Sequence, residues 1–231
     1  MATAVVAAGG SGERLGAGVP KALVPLHGRP MISWCLAALQ ASERVERAAI
    51  AAPPGHEEEV EAIAAGVLEM PVAVVTGGET RSESVANAIG AISGSDELVI
   101  HDAARPLAEA ALFDRCIERL AHWGCDGVVA AARAVDTIKE ADAGGRVLAT
   151  LERRNLWAVQ TPQVFAAALL RDAHRQAVTR GVVATDDAAL VEALGTAVRL
   201  VSGLPGNVKI TRPEDLPLAR AMLGLRRRSA R

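Results

Sequence analysis

Residues 2–23, "ATAVVAAGGSGERLGAGVPKAL", join a short apolar run to a glycine-rich loop. The run "ATAVVAA" is apolar apart from one threonine and has the length of a strand buried on both faces. Four glycines follow it within eight positions, namely Gly9, Gly10, Gly12 and Gly16. A buried strand that leads directly into such a loop is typical of α/β domains that bind an anion at the strand's carboxyl end.

The same alternation continues through the first half of the chain. The apolar runs "VERAAIAAP", "PVAVVTGG" and "ELVIHDAARP" are each followed by a helical pattern. Repeated strand and helix predict parallel strands joined by right-handed crossovers, with helices on both faces of the sheet. We therefore predict a doubly wound α/β fold with a mostly parallel, Rossmann-like sheet. Its ligand site is expected where "AAGGSG", "TGGETRS" and "HDAARP" end their strands.

The second half of the chain changes character. Residues 127–165 begin with a buried strand and continue as a polar hairpin about the turn "DAGGR", which we predict to project as an arm over about 133–155 or to form an exposed edge hairpin. A helix follows around "AAALLRDAHRQAVTRG", and a second one near "TDDAALVEALG", with Thr185 or Asp186 as its N-cap. After the strand "VRLVSG", the tail "GLRRRSAR" is predicted to be disordered. With no internal repeat or linker, residues 1–231 are predicted to form a single domain.

Composition and charge narrow the class of protein. Half of the residues are hydrophobic and the net charge is −2, so the chain has ample material for a core and no overall attraction for nucleic acid or an anionic membrane. Three cysteines, Cys35, Cys116 and Cys125, lack CxxC spacing and are predicted to be reduced core thiols. With neither a signal-peptide pattern nor a long apolar stretch, a cytoplasmic protein without nucleic-acid or membrane partners is expected.

Two familiar anion-binding motifs do not match the first loop. A Walker A loop requires Ser or Thr after the lysine, but Lys21 is followed by Ala22. The glycines give GxGxxxG rather than the GxGxxG of dinucleotide-binding proteins, and the second strand ends in "AAPPG" without an acid, which disfavours a NAD-binding oxidoreductase. What remains is a loop carrying Arg14 and Lys21, an arrangement suited to holding cations over a polyphosphate.

Seven segments in register carry a family resemblance. The segments are "AAGGSGERLGAGVPKAL", "TGGETRSESV", "HDAARP", "VDTIK", "NLWAVQTPQ", "TDDA" and "NVKITRPEDL". Together they resemble the 2-C-methyl-D-erythritol 4-phosphate cytidylyltransferase (IspD) family, and the resemblance covers residues 5–216. The resemblance implies the fold of nucleotide-diphospho-sugar transferases. It also implies transfer of a cytidylyl group from CTP, accompanied by Mg²⁺, to methylerythritol phosphate, with release of pyrophosphate, in the non-mevalonate isoprenoid pathway.

The resemblance also implies roles for individual residues. Catalytic cations would be Arg14, Lys21, Arg153 and Lys209. The nucleotide would be surrounded by Ala8, Gly9, Gly10 and Gly12, and its base read by Gly78, Glu79, Ser84 and Ala103. The polyol phosphate would be bound by Asp102, Arg105, Thr137, Thr161, Thr185 and Asp186. Asp102 is also a candidate Mg²⁺ ligand, whereas His101 is expected to be structural.

A homodimer with interlocking arms follows from the same resemblance. Thr137 and Arg153 of one chain would complete the polyol phosphate site of the other, although Arg154, adjacent in "LERRNLW", is an alternative to Arg153. Two further functions stay open beside the oxidoreductase. One is a cytidylyltransferase acting on ribitol 5-phosphate, and the other is a non-catalytic nucleotide-binding dimer that kept the fold.

Overall fold

The structure, a computed structural model, describes residues 1–182 and 184–229, and of Arg14 and residues 227–229 the backbone alone. The strands are β1 (Ala2–Ala7), β2 (Pro25–Leu26), β3 (Arg29–Pro30), β4 (Val45–Ala52), β5 (Val72–Thr76), β6 (Glu97–Asp102), β7 (Gly127–Arg133), β8 (Lys139–Ala141), β9 (Val147–Thr150), β10 (Trp157–Ala166) and β11 (Val198–Ser202). The helices are α1 (Met31–Gln40), α2 (Glu57–Ala65), α3 (Arg81–Gly90), α4 (Ala110–Trp123), α5 (Ala167–Arg180), α6 (Asp187–Glu192) and α7 (Asp215–Ser229).

Seven strands form the central sheet in the order β11-β7-β10-β6-β1-β4-β5. Six of them run parallel and β10 runs antiparallel to both of its neighbours, which confirms the predicted mostly parallel α/β class. The sequence analysis missed β10. Its segment "WAVQTPQVFA" contains Pro162 and two buried glutamines, Gln160 and Gln163, and its register with β7 shifts between Val159 and Gln163. Proline and a register shift obscure the alternation by which a strand is recognised.

Successive buried side chains of the parallel strands point to alternate faces of the sheet, so each face has its own apolar layer. Val6 of β1 and Val99 of β6 belong to the layer covered by α1, α2 and α4. Val5 and Ile100, one position away on the same strands, belong to the layer covered by α3, α5 and α6. Because successive side chains of a strand point to opposite faces, a strand that is apolar throughout is buried on both.

The predicted hairpin is present as a separate two-stranded sheet. Strands β8 and β9 pair only with each other among the described strands, and the turn between them closes where Asp142 N donates to Arg146 O at 3.0 Å. Several apolar side chains of this arm are exposed, namely Val135, Ile138, Val147, Leu148 and Leu151. The arm therefore presents an apolar surface that its own chain does not cover.

The predicted disorder of the tail is wrong as far as residue 229. Helix α7 continues through "GLRRRS" because its inner face packs in a third apolar cluster, to which it contributes the buried Ala219 and Leu223. Arg226 adds an ion pair with Glu109 at 2.7 Å and donates to the carbonyl oxygen of Leu107 at 2.9 Å. The run of charged residues hid this apolar face in the sequence.

Two expectations from composition concern membrane spans and cysteines. Within residues 1–182 and 184–229, no helix is both long and apolar enough to span a bilayer. The cysteines are unpaired, and burial raises the pKa of the Cys35 and Cys116 thiols to about 12. Cys125 is partly buried. The three thiols lie in or beside the core, as predicted.

Candidate functional site

A cavity of about 790 Å³ lies at the carboxyl ends of the parallel strands, where the sequence predicted the ligand site. It is lined by the loop after β1, by residues that follow β4, β5 and β6, and by Lys209. The predicted site residues that it brings together are Ala8, Gly9, Gly10, Gly12, Lys21, Gly78, Glu79, Ser84, Asp102, Ala103 and Lys209. Segments from five parts of the chain thus converge on one site.

The loop after β1 presents a row of backbone amides. Ala8 N still belongs to the sheet, because it donates to Ala51 O at 3.0 Å. The amides of residues 9–12 donate no hydrogen bond within the described part of the chain. Gly12 has a positive φ of 79°, which turns the backbone towards the 3₁₀ turn Glu13–Leu15. Successive unpaired amides in such a turn form a concavity that attracts an anion.

Glycine is required where the first loop meets the loop after β5. A Cβ on Gly9 would lie 2.8 Å from Ser84 Oγ and 3.2 Å from Gly77 Cα, and a Cβ on Gly77 would lie 2.9 Å from both Ala52 O and Gly9 Cα. The two loops therefore pack backbone against backbone, which fixes the width of the cavity floor.

We expect Gly77→Ala to destabilise the fold, because neither backbone neighbour of the new Cβ can rotate away. The expected cost is roughly 1–3 kcal/mol, or several degrees in Tm, measured by thermal unfolding. Gly10→Ala is the matched control, because its Cβ would meet nothing within 4 Å. Equal Tm values for Gly77→Ala and wild type would contradict this packing.

The loop after β5 is stabilised by its own polar groups. Thr80 caps α3 and forms a capping box with Glu83. Ser84 Oγ accepts from Gly78 N at 3.0 Å and donates to Thr80 O at 2.9 Å. Glu79 N donates to Glu83 Oε2 at 2.8 Å. These groups hold the loop in shape, and base recognition by Gly78, Glu79 and Ser84 stays a prediction.

Asp102, at the end of β6, stands between two cations. Its Oδ1 accepts from Arg81 Nε at 2.8 Å and its Oδ2 pairs with Lys209 Nζ at 2.7 Å. Burial raises the pKa of Asp102, but Arg81 and Lys209 outweigh burial and hold this pKa well below its usual range. The carboxylate is therefore ionised and fully engaged with protein cations.

Arg81 is a site residue that sequence reasoning missed. It is the first residue of α3, and besides Asp102 it binds Asp187, the first residue of α6, through Nη1 at 2.7 Å. Asp187 Oδ1 in turn accepts from His174 Nε2 at 3.0 Å. Nothing in either local segment announces this pairing of residues 106 positions apart.

The donor set does not fit a metal ion bound by the protein alone. Among the described residues, no group of three or more His, Cys, Asp or Glu side chains is placed to hold a metal ion. Both oxygens of Asp102, the candidate ligand, are engaged with cations. A divalent cation at this site would need ligands that a bound phosphate brings with it.

A second cavity, of about 430 Å³, shares one wall with the first. Arg81, Asp102 and Lys209 line both cavities, and the predicted Arg105, Thr161, Thr185 and Asp186 line the second. The predicted polyol phosphate residues of the main body therefore lie together, next to the predicted nucleotide residues. Lys209 stands at the boundary.

Arg105 carries a buried charge without a carboxylate partner among the described residues. Its Nη1 donates to Asn207 O at 2.8 Å and its Nη2 to Val159 O at 3.2 Å, while its buried Nε has no partner there. Burial lowers the pKa of Arg105. Asp102 pairs with Arg81 and Lys209 rather than with Arg105.

His101 has the structural role expected of it. Its ring is fully buried edge-on against Phe113, with centroids 4.9 Å apart. Thr161 Oγ1 lies 2.9 Å from His101 Nδ1 and accepts from Asp102 N at 3.1 Å, so the threonine hydroxyl fixes the end of β6. Burial lowers the pKa of His101 to about 4. The imidazole is therefore neutral at pH 7.

We expect His101 to remain uncharged in the folded protein well below the pH at which a free histidine titrates. Between about pH 6.5 and 4 only the unfolded state binds this proton, so the contribution of His101 to stability falls as the pH decreases through that window. An imidazole resonance, assigned by its loss in His101→Gln, should not move between pH 8 and 5.5. A midpoint near 6.5 would contradict the buried neutral state.

Of the two predicted caps of α6, the cap is Asp186. Asp186 Oδ1 accepts from Ala189 N at 3.0 Å, and its Oδ2 accepts from Gln163 Nε2 at 2.8 Å. Thr185 is exposed and lines the second cavity. The polar atoms of Asp186 are therefore engaged in shaping the cavity wall, whereas Thr185 is an exposed residue of that wall.

Two predicted residues, Thr137 and Arg153, are not brought into either cavity of the same chain. Thr137 and Arg153 lie on the arm and line neither cavity; Arg153 Nη1 donates to Val135 O at 2.7 Å. The backbone of Arg14 lies in the 3₁₀ turn beside the first cavity, and its side chain falls outside the described part of the chain.

Comparison with known proteins supplies the family. The sequence profile described as 2-C-methyl-D-erythritol 4-phosphate cytidylyltransferase matches residues 2–225. A protein of that name from Synechococcus elongatus is 41% identical over 98% of this chain and 97% of its own length. The crystal structure of the Thermus thermophilus cytidylyltransferase is 34% identical, with a TM-score of 0.79 over 95% and 97% of the two chains. The Anaerococcus prevotii 4-diphosphocytidyl-2C-methyl-D-erythritol synthase is 26% identical, with a TM-score of 0.85 over 97% and 98%.

Proposed function

Because the chain belongs to the 2-C-methyl-D-erythritol 4-phosphate cytidylyltransferase family, we propose that it transfers the cytidylyl group of CTP to 2-C-methyl-D-erythritol 4-phosphate. The products are 4-diphosphocytidyl-2-C-methyl-D-erythritol and pyrophosphate, and the reaction belongs to the non-mevalonate isoprenoid pathway. The observation that carries the proposal is the position of Lys209, at the boundary between a cavity floored by unpaired amides and a cavity holding Arg105.

The transfer needs positioned charge rather than a general base. A phosphate oxygen of the polyol substrate attacks the α-phosphorus of CTP, and the bond from that phosphorus to the bridging oxygen breaks as pyrophosphate leaves. The attacking phosphate is already largely dianionic at pH 7, so no proton has to be removed. The amides of residues 9–12, with Arg14 and Lys21, bind the triphosphate and stabilise the charge that develops on it.

The second cavity binds the polyol phosphate. Arg105 supplies a charge that no carboxylate of the described chain neutralises, and the Thr185 hydroxyl is available for a substrate oxygen. Lys209 holds the attacking phosphate in line with the α-phosphorus. Thr161 and Asp186 act on the substrate through the shape of the wall, since their polar atoms are engaged with Asp102, His101, Gln163 and Ala189.

The active form is a homodimer whose arms complete each other's sites. The support is twofold: the arm exposes apolar side chains that its own chain leaves uncovered, and Thr137 and Arg153 line neither cavity of their own chain. An arm laid across the partner buries that surface and carries the two side chains to the partner's polyol phosphate.

A Mg²⁺ ion accompanying CTP would neutralise part of the triphosphate charge. The amides of residues 9–12 and Lys21 hold the remaining negative charge of the phosphates. The enzyme works in the cytoplasm, in keeping with three thiols that are not paired with one another.

A substrate panel with a pyrophosphate readout tests this function. CTP with methylerythritol phosphate should release pyrophosphate, whereas CTP with ribitol 5-phosphate should release little. A preference for ribitol 5-phosphate would establish the alternative cytidylyltransferase. Saturable binding in a nicotinamide fluorescence titration would indicate an oxidoreductase, and CTP binding without turnover on either polyol would indicate the non-catalytic dimer.

A further inference from the structure

Four buried or half-buried charged side chains are linked by ion pairs into a continuous row, the charge chain, along the wall that the two cavities share. From the interior outwards they are Asp187, Arg81, Asp102 and Lys209, and their signs alternate. The three ion pairs that link them are 2.7, 2.8 and 2.7 Å long. Only Lys209, at the outer end, is substantially exposed, at 38% of its side chain against 26% or less for the other three.

Each carboxylate of the charge chain is shared between two partners. Asp187 is 1% exposed and shares its two oxygens between Arg81 and His174. Asp102 is 7% exposed and shares its two oxygens between Arg81 and Lys209. Since an unpaired buried charge is costly, removal of one member forces its neighbours to redistribute among those that remain.

We propose that Arg81 and Asp187 are positioning residues that set how tightly Asp102 holds the ammonium of Lys209. Arg81 binds one oxygen of the Asp102 carboxylate and offsets part of its negative charge. Asp102 therefore orients Lys209 through its other oxygen without fully neutralising the ammonium. Asp187 binds the same guanidinium and so weakens the attraction of Arg81 for Asp102. His174 fixes the position of Asp187 through a hydrogen bond to its other oxygen. This inference rests on the proposed function only in the use that it gives to Lys209.

Because the charges alternate in sign, removal of Arg81 and removal of the Asp187 charge should have opposite effects on how tightly Lys209 is held. Without Arg81, Lys209 is the sole cation at Asp102, and the carboxylate should bind the ammonium more tightly. Without the charge of Asp187, Arg81 turns wholly to Asp102, and Lys209 should be released. A role limited to supporting the fold would instead loosen Lys209 in both cases.

The test measures the reactivity of Lys209 directly. The sequence contains three lysines, Lys21, Lys139 and Lys209, so brief reductive dimethylation with formaldehyde can be quantified at each by peptide mass spectrometry. Lys139, on the arm, is the internal reference. Relative to it, Arg81→Met should slow the labelling of Lys209 about fivefold, and Asp187→Asn should accelerate it about threefold.

Arg171→Met is the matched control. Arg171 also packs against α3, where its guanidinium donates to the carbonyl oxygens of Ile89 and Ile92, each at 2.7 Å, but it has no contact with the charge chain. We expect it to leave the labelling of Lys209 unchanged. If Arg81→Met does not fold, the double variant Arg81→Met with Asp187→Asn takes its place, because it removes the two opposite charges together; labelling of Lys209 should again be slow.

Changes in opposite directions support the inference, whereas changes in the same direction, or no change, overturn it. The labelling uses the full chain without substrate, so its outcome does not depend on the reaction. A protein inactive with CTP and methylerythritol phosphate but with the opposite labelling changes would refute the proposed function and leave the charge chain standing.

Discussion

We expect Lys209→Gln to lower kcat/KM for pyrophosphate release from CTP and methylerythritol phosphate by about two orders of magnitude. The removed ammonium is the cation at the boundary of the two cavities, and loss of one charge that stabilises a transition state costs roughly 3 kcal/mol. The fold should survive, because Asp102 retains Arg81 as its counter-ion. Steady-state kinetics and thermal unfolding of the same preparation measure both effects.

Lys139→Gln serves as the control for Lys209→Gln. It also removes a lysine, but from an exposed position on the arm, where Nζ donates only to Thr150 Oγ1 at 2.6 Å among the contacts seen. Its kcat/KM should stay within about twofold of wild type. Wild-type activity in Lys209→Gln would show that Lys209 has no role in the reaction. The observation on which the proposed function depends would then lose its meaning.

A hybrid dimer of two impaired chains should recover about half of the wild-type activity. One chain carries Lys209→Gln and the other Arg153→Gln; each homodimer is impaired, because every site has one defect. In the hybrid, one site collects both substitutions and the other collects neither, if the arms are exchanged. Co-expression with two different affinity tags, followed by two-step purification, isolates the hybrid for assay.

Arg154→Gln decides between the two adjacent arginines of the arm. Arg154 has an ion pair with Glu152 at 3.7 Å, whereas Arg153 is oriented by Val135 O. We expect Arg154→Gln to retain activity by itself. A hybrid no more active than its parents would show that Arg153 acts in the site of its own chain, and the shared-site dimer would have to be abandoned.

The parts of the fold that were predictable have a local signature. The buried strand β1, its glycine loop and the strand–helix alternation follow from apolar runs and turn residues that lie next to one another in sequence. Strand β10 lacks that signature, because Pro162 and its buried glutamines interrupt the pattern. The last turns of α7, "GLRRRS", were predicted to be disordered because arginines outnumber apolar residues in that segment.

The candidate site divides in the same way. Lys21, Asp102 and Lys209 belong to recognisable segments, and the structure places all three on one cavity. Arg81 and Asp187 act through a partner far away in sequence, so only the topology, which brings the starts of α3 and α6 to the same sheet edge, reveals their connection. Long-range ion pairs of this kind leave no periodic trace in a sequence.

Helix α7 also anchors the segment that carries Lys209. Next to Lys209, Ile210 is completely buried with Leu223, and its amide donates to Ala104 O at 2.8 Å. Asp215 holds the intervening turn by accepting from Thr211 N and Arg212 N. A chain truncated before α7 would keep every described side chain that lines the two cavities. It would lose the contacts with Leu223 and Asp215 that fix the segment carrying Lys209, so this lysine would no longer be held in position.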